Sequence, residues 1–218
     1  MRKVFFYPIS MIWSLITSIR RKYYNQEGKK RRVVFQKPVI CVGNLCMGGA
    51  GKTPHTEYLI RLLSNTFQVA VLSRGYGRVT KKFLFADSLS SSLTIGDEPF
   101  LYYKKYPSIA VSVCENRVHG IRTILEKLPE IEVVLLDDAY QHLSVKAGLN
   151  VLLTDYYHLY ADDYVFPSGN LRESTQAAKE ADIIVVTKSP LIISPLEERI
   201  ILDKIIKAIC IVFTATPT

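Results

Sequence analysis

The chain has 218 residues, 48% of them hydrophobic, enough for one substantial core with a small appendage. Its formal net charge is +8, but ten Lys/Arg against one Glu fall in residues 1–37, while the remainder carries eighteen basic residues against nineteen acidic ones. A neutral body argues against nucleic-acid binding and places the basic character in an N-terminal arm suited to an anionic surface. The four cysteines (Cys41, Cys46, Cys114, Cys210) form no C-x-x-C pair, so neither a zinc site nor a disulfide framework is indicated.

The first predicted element is a helix from Pro8 onward. Ile9, Ile12, Trp13, Ile16 and Ile19 share one side, and Ser10, Ser14, Thr17 and Ser18 the other. The apolar stretch Val4 to Ile19 is shorter than the roughly 20 residues a spanning helix needs, and it lacks a small-residue cleavage site. Seven Lys/Arg follow between positions 20 and 32, with Tyr23 and Tyr24 among them. Residues 1–32 are therefore expected to lie in a membrane interface as an amphipathic helix with a basic segment. The alternative is a helix packed on its own domain.

Residues 33–218 alternate short apolar runs with helical stretches. The runs are Val39–Val42, Val69–Leu72, Ile109–Val113, Val133–Leu136, Leu149–Leu153, Ile183–Val186 and Ile209–Phe213. They are short, Val/Ile-rich and mostly continuous, as strands buried on both faces are. Helices are expected near 53–65, 97–105, 115–128 and 195–208, and 74–96 reads as a long loop with room for one short strand. The fold class is α/β, a mainly parallel β-sheet flanked by helices. The last run ends just before residue 218, with no closing helix after it.

Within this frame, the first run leads into a glycine-rich turn and a helix, the context of a phosphate-binding loop. Cys46 stands where G-x-x-x-x-G-K-[ST] has its first glycine, but phosphates are met by the second half of the loop. Gly48, Gly49, Ala50 and Gly51 would offer backbone N–H groups to phosphate, helped by the following helix N-terminus. Lys52 would reach the β- and γ-phosphates of ATP, and Thr53 would ligate Mg²⁺. The run ending in Asp137-Asp138 has the form of a strand whose carboxylates hold that ion, and Gln141 and His142 follow it in a loop. Asp97-Glu98 opens a helix before Pro99, where acidic residues are common for dipole reasons alone. Thr187 and Pro190 replace the Asn and Asp of a guanine-reading N-K-x-D, which favours ATP. Arg74, Arg117 and Arg172 stand in loops or at helix starts, where each could grip phosphate or lie on the surface.

The ordered set "VGNLCMGGAGKTP", "SRGYGR", "GDEPFL", "ENRVHGI", "LLDDAYQHL", "PSGNLRE" and "VVTKSP" resembles the tetraacyldisaccharide 4'-kinases of lipid A biosynthesis along nearly the whole chain. The resemblance implies a P-loop NTPase-like kinase on the cytoplasmic face of the bacterial inner membrane, and the chain is expected to be a monomer. It would move the γ-phosphate of Mg-ATP to the 4'-hydroxyl of a lipid A disaccharide 1-phosphate precursor. It further implies Asp97 as general base with Glu98 beside it, Asp137 and Asp138 near the metal, and Gln141, His142, Arg117 and Arg172 about the site, with Arg74 kept as an accessory candidate on its loop position alone. Ala139 stands where that family commonly has Gly. Family members also continue well beyond 218 residues, so the chain is expected to be a C-terminally shortened form with impaired catalysis. The competing reading is a membrane-associated P-loop ATPase of the partitioning or targeting type, which would hydrolyse ATP without a sugar acceptor.

Overall fold

The computed structural model of the chain describes residues 5–26, 31–205 and 210–215. The residues fall into two compact units, Arg32–Val42 with Lys52–Gly148, and Met1–Arg31 with Gly43–Gly51 and Leu149–Thr218.

In the first of these, β1 (Val39–Asn44), β2 (Val69–Ser73), β4 (Ala110–Val113) and β5 (Val133–Asp137) are parallel, and the antiparallel β3 (Leu84–Phe85) borders β4. The lateral order is β3-β4-β2-β5-β1. Both faces of β2 are covered, which explains its uninterrupted apolar sequence. Val69 and Val71 belong to a core with Ile60 of α2 (Lys52–Leu63) and Tyr102 of α4 (Asp97–Lys105). Leu72, pointing to the other side, meets Gly120 of α5 (Arg117–Lys127), where a Cβ would lie 2.7 Å from its methyl group. The glycine thus sets the close approach of α5 to the sheet.

The stretch 74–96 holds, besides β3, a single helical turn, α3 (Ser92–Ile95), whose capping box pairs Ser91 with Thr94. Gly96 then takes φ +94, with Gly75 and Tyr76 against it, and α4 starts at Asp97 as expected. Asn116 caps α5 by accepting a hydrogen bond from the His119 amide at 3.0 Å.

The other unit carries the parallel strands β6 (Leu149–Asp155), β7 (Ile183–Ser189) and β8 (Cys210–Ala215), in that order. Ile209, the first residue of the expected last strand, and the end of the helix expected to 208 lie outside the described residues. The described part of that helix, α6 (Pro195–Lys204), has a Ser194/Glu197 capping box and Pro195 in its first turn, where a missing N–H costs nothing.

This unit also carries α1 (Tyr7–Tyr24). Its inward stripe is Ser10, Ser14, Thr17 and Arg21, with Ser10 only 5% exposed. Its outward surface is apolar: Ile9, Ile12, Ile16 and Ile19 are each more than half exposed. Among the described residues no helix is long and apolar enough to cross a membrane.

Candidate active site

Strand β5 is apolar until its last residue, and the register Val42↔Asp137 sets that residue beside the end of β1. Asp137 is 1% exposed. Thr56 Oγ1 donates to its Oδ1 at 3.3 Å, and Tyr102 OH donates to its Oδ2 at 3.1 Å. Burial, together with the charges of Glu98 and Asp138, pushes the carboxyl up to about 7, although the Tyr102 bond and Lys52 act the other way. Burial and the Asp137 charge likewise raise the Tyr102 phenol, so it stays a donor.

Asp138 adopts φ 47, a left-handed conformation that Asp accepts more readily than most residues. Its Oδ1 comes within 3.7 Å of Lys52 Nζ. Ala139, where the resembling family carries Gly, is buried and has no positive φ, so a methyl group is accommodated there. At the start of α2, Thr53 Oγ1 lies 3.4 Å from Glu98 Oε1. Asp97, its neighbour at the head of α4, is exposed. Three carboxylates, three hydroxyls and one ammonium thus converge, while a fourth carboxylate faces solvent.

Arg117 is 1% exposed. Its Nη1 donates to the Cys114 carbonyl and its Nη2 to the Asp137 carbonyl at 3.4 Å, the latter at the C-terminal end of β5. Burial brings the guanidinium down to about 10 despite the Asp137 charge, which still leaves it protonated at neutral pH. Arg117 thus holds the Asp137 backbone from behind rather than reaching its carboxylate. Arg74 is exposed just beyond β2, and Gln141 and His142 are half-buried in the turn after Asp138. Thr56 and Tyr102 escaped the sequence reading, although each carried a signal. Thr56 lies three residues after Thr53 and Tyr102 four after Glu98, so each shares a helix face with a candidate residue.

The glycine loop is held within the other unit. Gly48 has φ +125 and Gly51 φ +76, and a Cβ at Gly48 or Gly49 would meet nothing within 4 Å. Backbone conformation demands glycine at 48 and 51, and the space over Gly48 and Gly49 is open to a ligand. Cys46 forms an antiparallel bridge with Leu171 and has no positive φ. That is why a non-glycine residue serves at this position. Burial and the charges of Asp163 and Asp155 push its thiol up to about 11, so it is no nucleophile at neutral pH.

At the far end of the loop, Thr187 Oγ1 donates to the Ala50 carbonyl, with the Thr154 carbonyl also at 3.2 Å. The residue at the guanine-reading position is thus engaged with the loop itself. A cavity of about 550 Å³ lies beside the loop, bordered by Gly48, Gly49, Asp155 and Lys188. Lys188 Nζ pairs there with Asp155 Oδ2 at 2.7 Å. Arg172 is half-buried at the start of the loop, its amide donating to the Leu45 carbonyl at 2.7 Å.

Among the described residues no group of three or more His, Cys, Asp or Glu is arranged to hold a metal unaided. The donor set near Asp137 is nonetheless all hard oxygen, with a carboxyl destabilised by neighbouring charge. That suits Mg²⁺, which keeps several waters and takes phosphate oxygens besides one or two carboxylates.

The profile of the family described as LpxK, tetraacyldisaccharide-1-P 4'-kinase, matches residues 2–206. The chain belongs to this family. It is 49% identical over 200 residues to the tetraacyldisaccharide 4'-kinase of Bacteroides thetaiotaomicron, covering 91% of this chain and 52% of that protein. With the Flavobacterium johnsoniae enzyme of the same name it shares 51% over 190 residues, covering 87% and 55%. LpxK from Aquifex aeolicus, solved in complex with ATP, superposes with a TM-score of 0.78 at 36% identity, covering 85% of this chain and 59% of that one. The chain thus spans about half the length of the curated LpxK relatives it matches, and shares the mostly parallel α/β fold of the solved one.

Proposed function

We propose that the chain carries the nucleotide-binding and acceptor-activating parts of a tetraacyldisaccharide 4'-kinase. The reaction moves the γ-phosphate of ATP to the 4'-hydroxyl of the lipid A disaccharide 1-phosphate precursor. The observation that carries this reading is the convergence on the end of β5: Lys52 on Asp138, and Thr56 and Tyr102 on Asp137.

The loop from Gly48 to Gly51 presents backbone N–H groups to the phosphates, and Lys52, next in the chain, neutralises charge on the β- and γ-phosphates. Thr53, Asp137 and Asp138 would hold Mg²⁺, which would shield phosphate charge. Asp97 takes the proton of the sugar hydroxyl as the new O–P bond forms and the β–γ bridging bond breaks, releasing ADP. Glu98 keeps Thr53 oriented. Arg117 positions Asp137 from behind, and Arg74, Arg172, Gln141 and His142 contact substrate or phosphate. The arm 1–32 brings the enzyme, as a monomer, to the anionic cytoplasmic face of the inner membrane, with the isoleucine face of α1 in the interface. Nucleic acid has no part in it.

The test is transfer of radiolabelled γ-phosphate to the lipid disaccharide monophosphate, made with the chain extended to the full length of its relatives. Asp97→Asn should lower transfer about 10²- to 10⁴-fold with nucleotide affinity near wild type. ATP turnover that never labels the lipid would favour the partitioning-type ATPase instead.

A further inference from the structure

Helix α1 reaches the glycine loop through a short run of polar contacts, all within one compact unit. The helix grips the segment Ser168–Glu173 at three points, with Ser10 and Arg21 from its inward stripe and the partly exposed Trp13 from its flank. Ser10 Oγ accepts from the Ser168 amide at 2.9 Å, in a buried setting. Trp13 Nε1 donates to the Arg172 carbonyl at 3.0 Å. Arg21 Nη2 pairs with Glu173 Oε2 at 2.8 Å, while its Nη1 reaches Glu180 Oε1 at 2.8 Å.

The same segment holds the start of the glycine loop. The Met47 amide donates to the Asn170 carbonyl and the Arg172 amide to the Leu45 carbonyl, both at 2.7 Å, around the Cys46↔Leu171 bridge. Arg172 therefore uses its amide on the loop and its carbonyl on the helix. Since the isoleucines of α1 point away, its attachment is polar and directional. Such a contact is made or broken as a unit, unlike a sliding apolar one.

We propose that Trp13 and Arg21 are positioning residues for the phosphate loop, so that seating α1 tightens nucleotide binding and nucleotide in turn favours the seated helix. The proposal rests on reading Gly48–Thr53 as the nucleotide loop. It predicts linkage between a lipid surface engaging α1 and the nucleotide, equal in both directions.

Trp13 is the only tryptophan in the chain, so tryptophan emission reports on this junction alone. Binding of Mg-ADP, followed by calorimetry in the full chain without lipid, should weaken roughly three- to tenfold in Trp13→Phe, the range for losing one hydrogen bond. Glu173→Gln, which keeps the shape but discharges the partner of Arg21, should weaken it similarly. Ser18→Ala, on the exposed side of α1, should bind as wild type. In the wild type, Mg-ADP should alter Trp13 emission. It should also tighten binding to phosphatidylethanolamine–phosphatidylglycerol vesicles by the factor that vesicles tighten Mg-ADP, a coupling diminished in Trp13→Phe.

A purely structural role would lower the melting temperature and leave this coupling intact. Wild-type Mg-ADP affinity in both variants, with both folded by circular dichroism, overturns the relay. Failure of the wild-type chain to bind Mg-ADP at all overturns the phosphate-loop reading beneath it.

Discussion

Helix α1 turns serine, threonine and arginine toward the protein and leaves its isoleucines outside, whereas α5 buries Ile121 and Ile124 completely. Both helices are amphipathic, yet they dock by opposite faces. Helix α5 is held by packing, spread over many weak contacts that add up. Helix α1 is held by a few hydrogen bonds and a buried ion pair. Amphipathicity alone therefore does not say which side of a helix is inside. In α1 the apolar side is left exposed, and the polar side carries the docking contacts.

The contrast breaks hardest at Ile121. Ile121→Ala should cost about 2–5 kcal/mol of global stability by denaturant unfolding, from lost burial and the cavity left behind. Next comes Arg21→Met, which leaves Glu173 buried without its cation. Breaking such a pair costs about 3–5 kcal/mol where the structure cannot yield. Here α1 can detach instead, so limited proteolysis should show early cleavage within residues 1–31 while the rest of the chain melts near the wild-type temperature. If melting instead falls as far as in Ile121→Ala, the two helices are held alike.

A smaller change to stability comes from Ile12→Ser with Ile16→Ser, within about 0.5 kcal/mol because both side chains already face solvent. Their effect should appear as weaker flotation with anionic vesicles, and unchanged flotation would remove the isoleucine face from membrane contact.

The body's own buried charge gives the finest comparison. The folded state holds the Asp137 proton more tightly, at about 7 against an ordinary 3.8. Its stabilising contribution is complete below about pH 4 and is lost as pH rises through 7. In EDTA without nucleotide, Asp137→Asn should raise the melting temperature at pH 8, by about 2–4 °C for each kcal/mol relieved. At pH 4 the two proteins should melt together. The same substitution should weaken stabilisation by Mg-ATP, because a charge that costs stability in the empty protein is the one a cation would use.

Much of the architecture was legible in order and type. Each of the seven apolar runs overlaps a strand among the described residues, because strands covered on both faces must be continuously apolar and short. Region 74–96 hid a helical turn, although Ser91 and Thr94 stand at cap spacing. Four residues are too few for periodicity to show. At the site, the glycine loop and the acidic pair were readable because their chemistry is carried by consecutive residues. Thr56 and Tyr102 were not, since their role depends on two helices meeting Asp137 from different parts of the chain. The inward face of α1 was hidden for a related reason. Sequence spacing divides a helix into two sides, and only Glu173 and the backbone at Ser168 and Arg172 decide which one docks.

The two-residue strand β3 has a consequence for how the protein behaves in company. Strands β4, β2 and β5 are mostly Val, Ala and Leu, and a bare edge at Ala110–Val113 would offer a template for another chain. Leu84 and Phe85 occupy that edge in the antiparallel sense, too briefly to recruit a further strand, with the exposed Lys81 and Lys82 just before them. The loop between β2 and α4 thus covers an edge that could otherwise pair with another chain. Substitutions that loosen it should be seen first as turbidity on storage, before any loss of nucleotide binding.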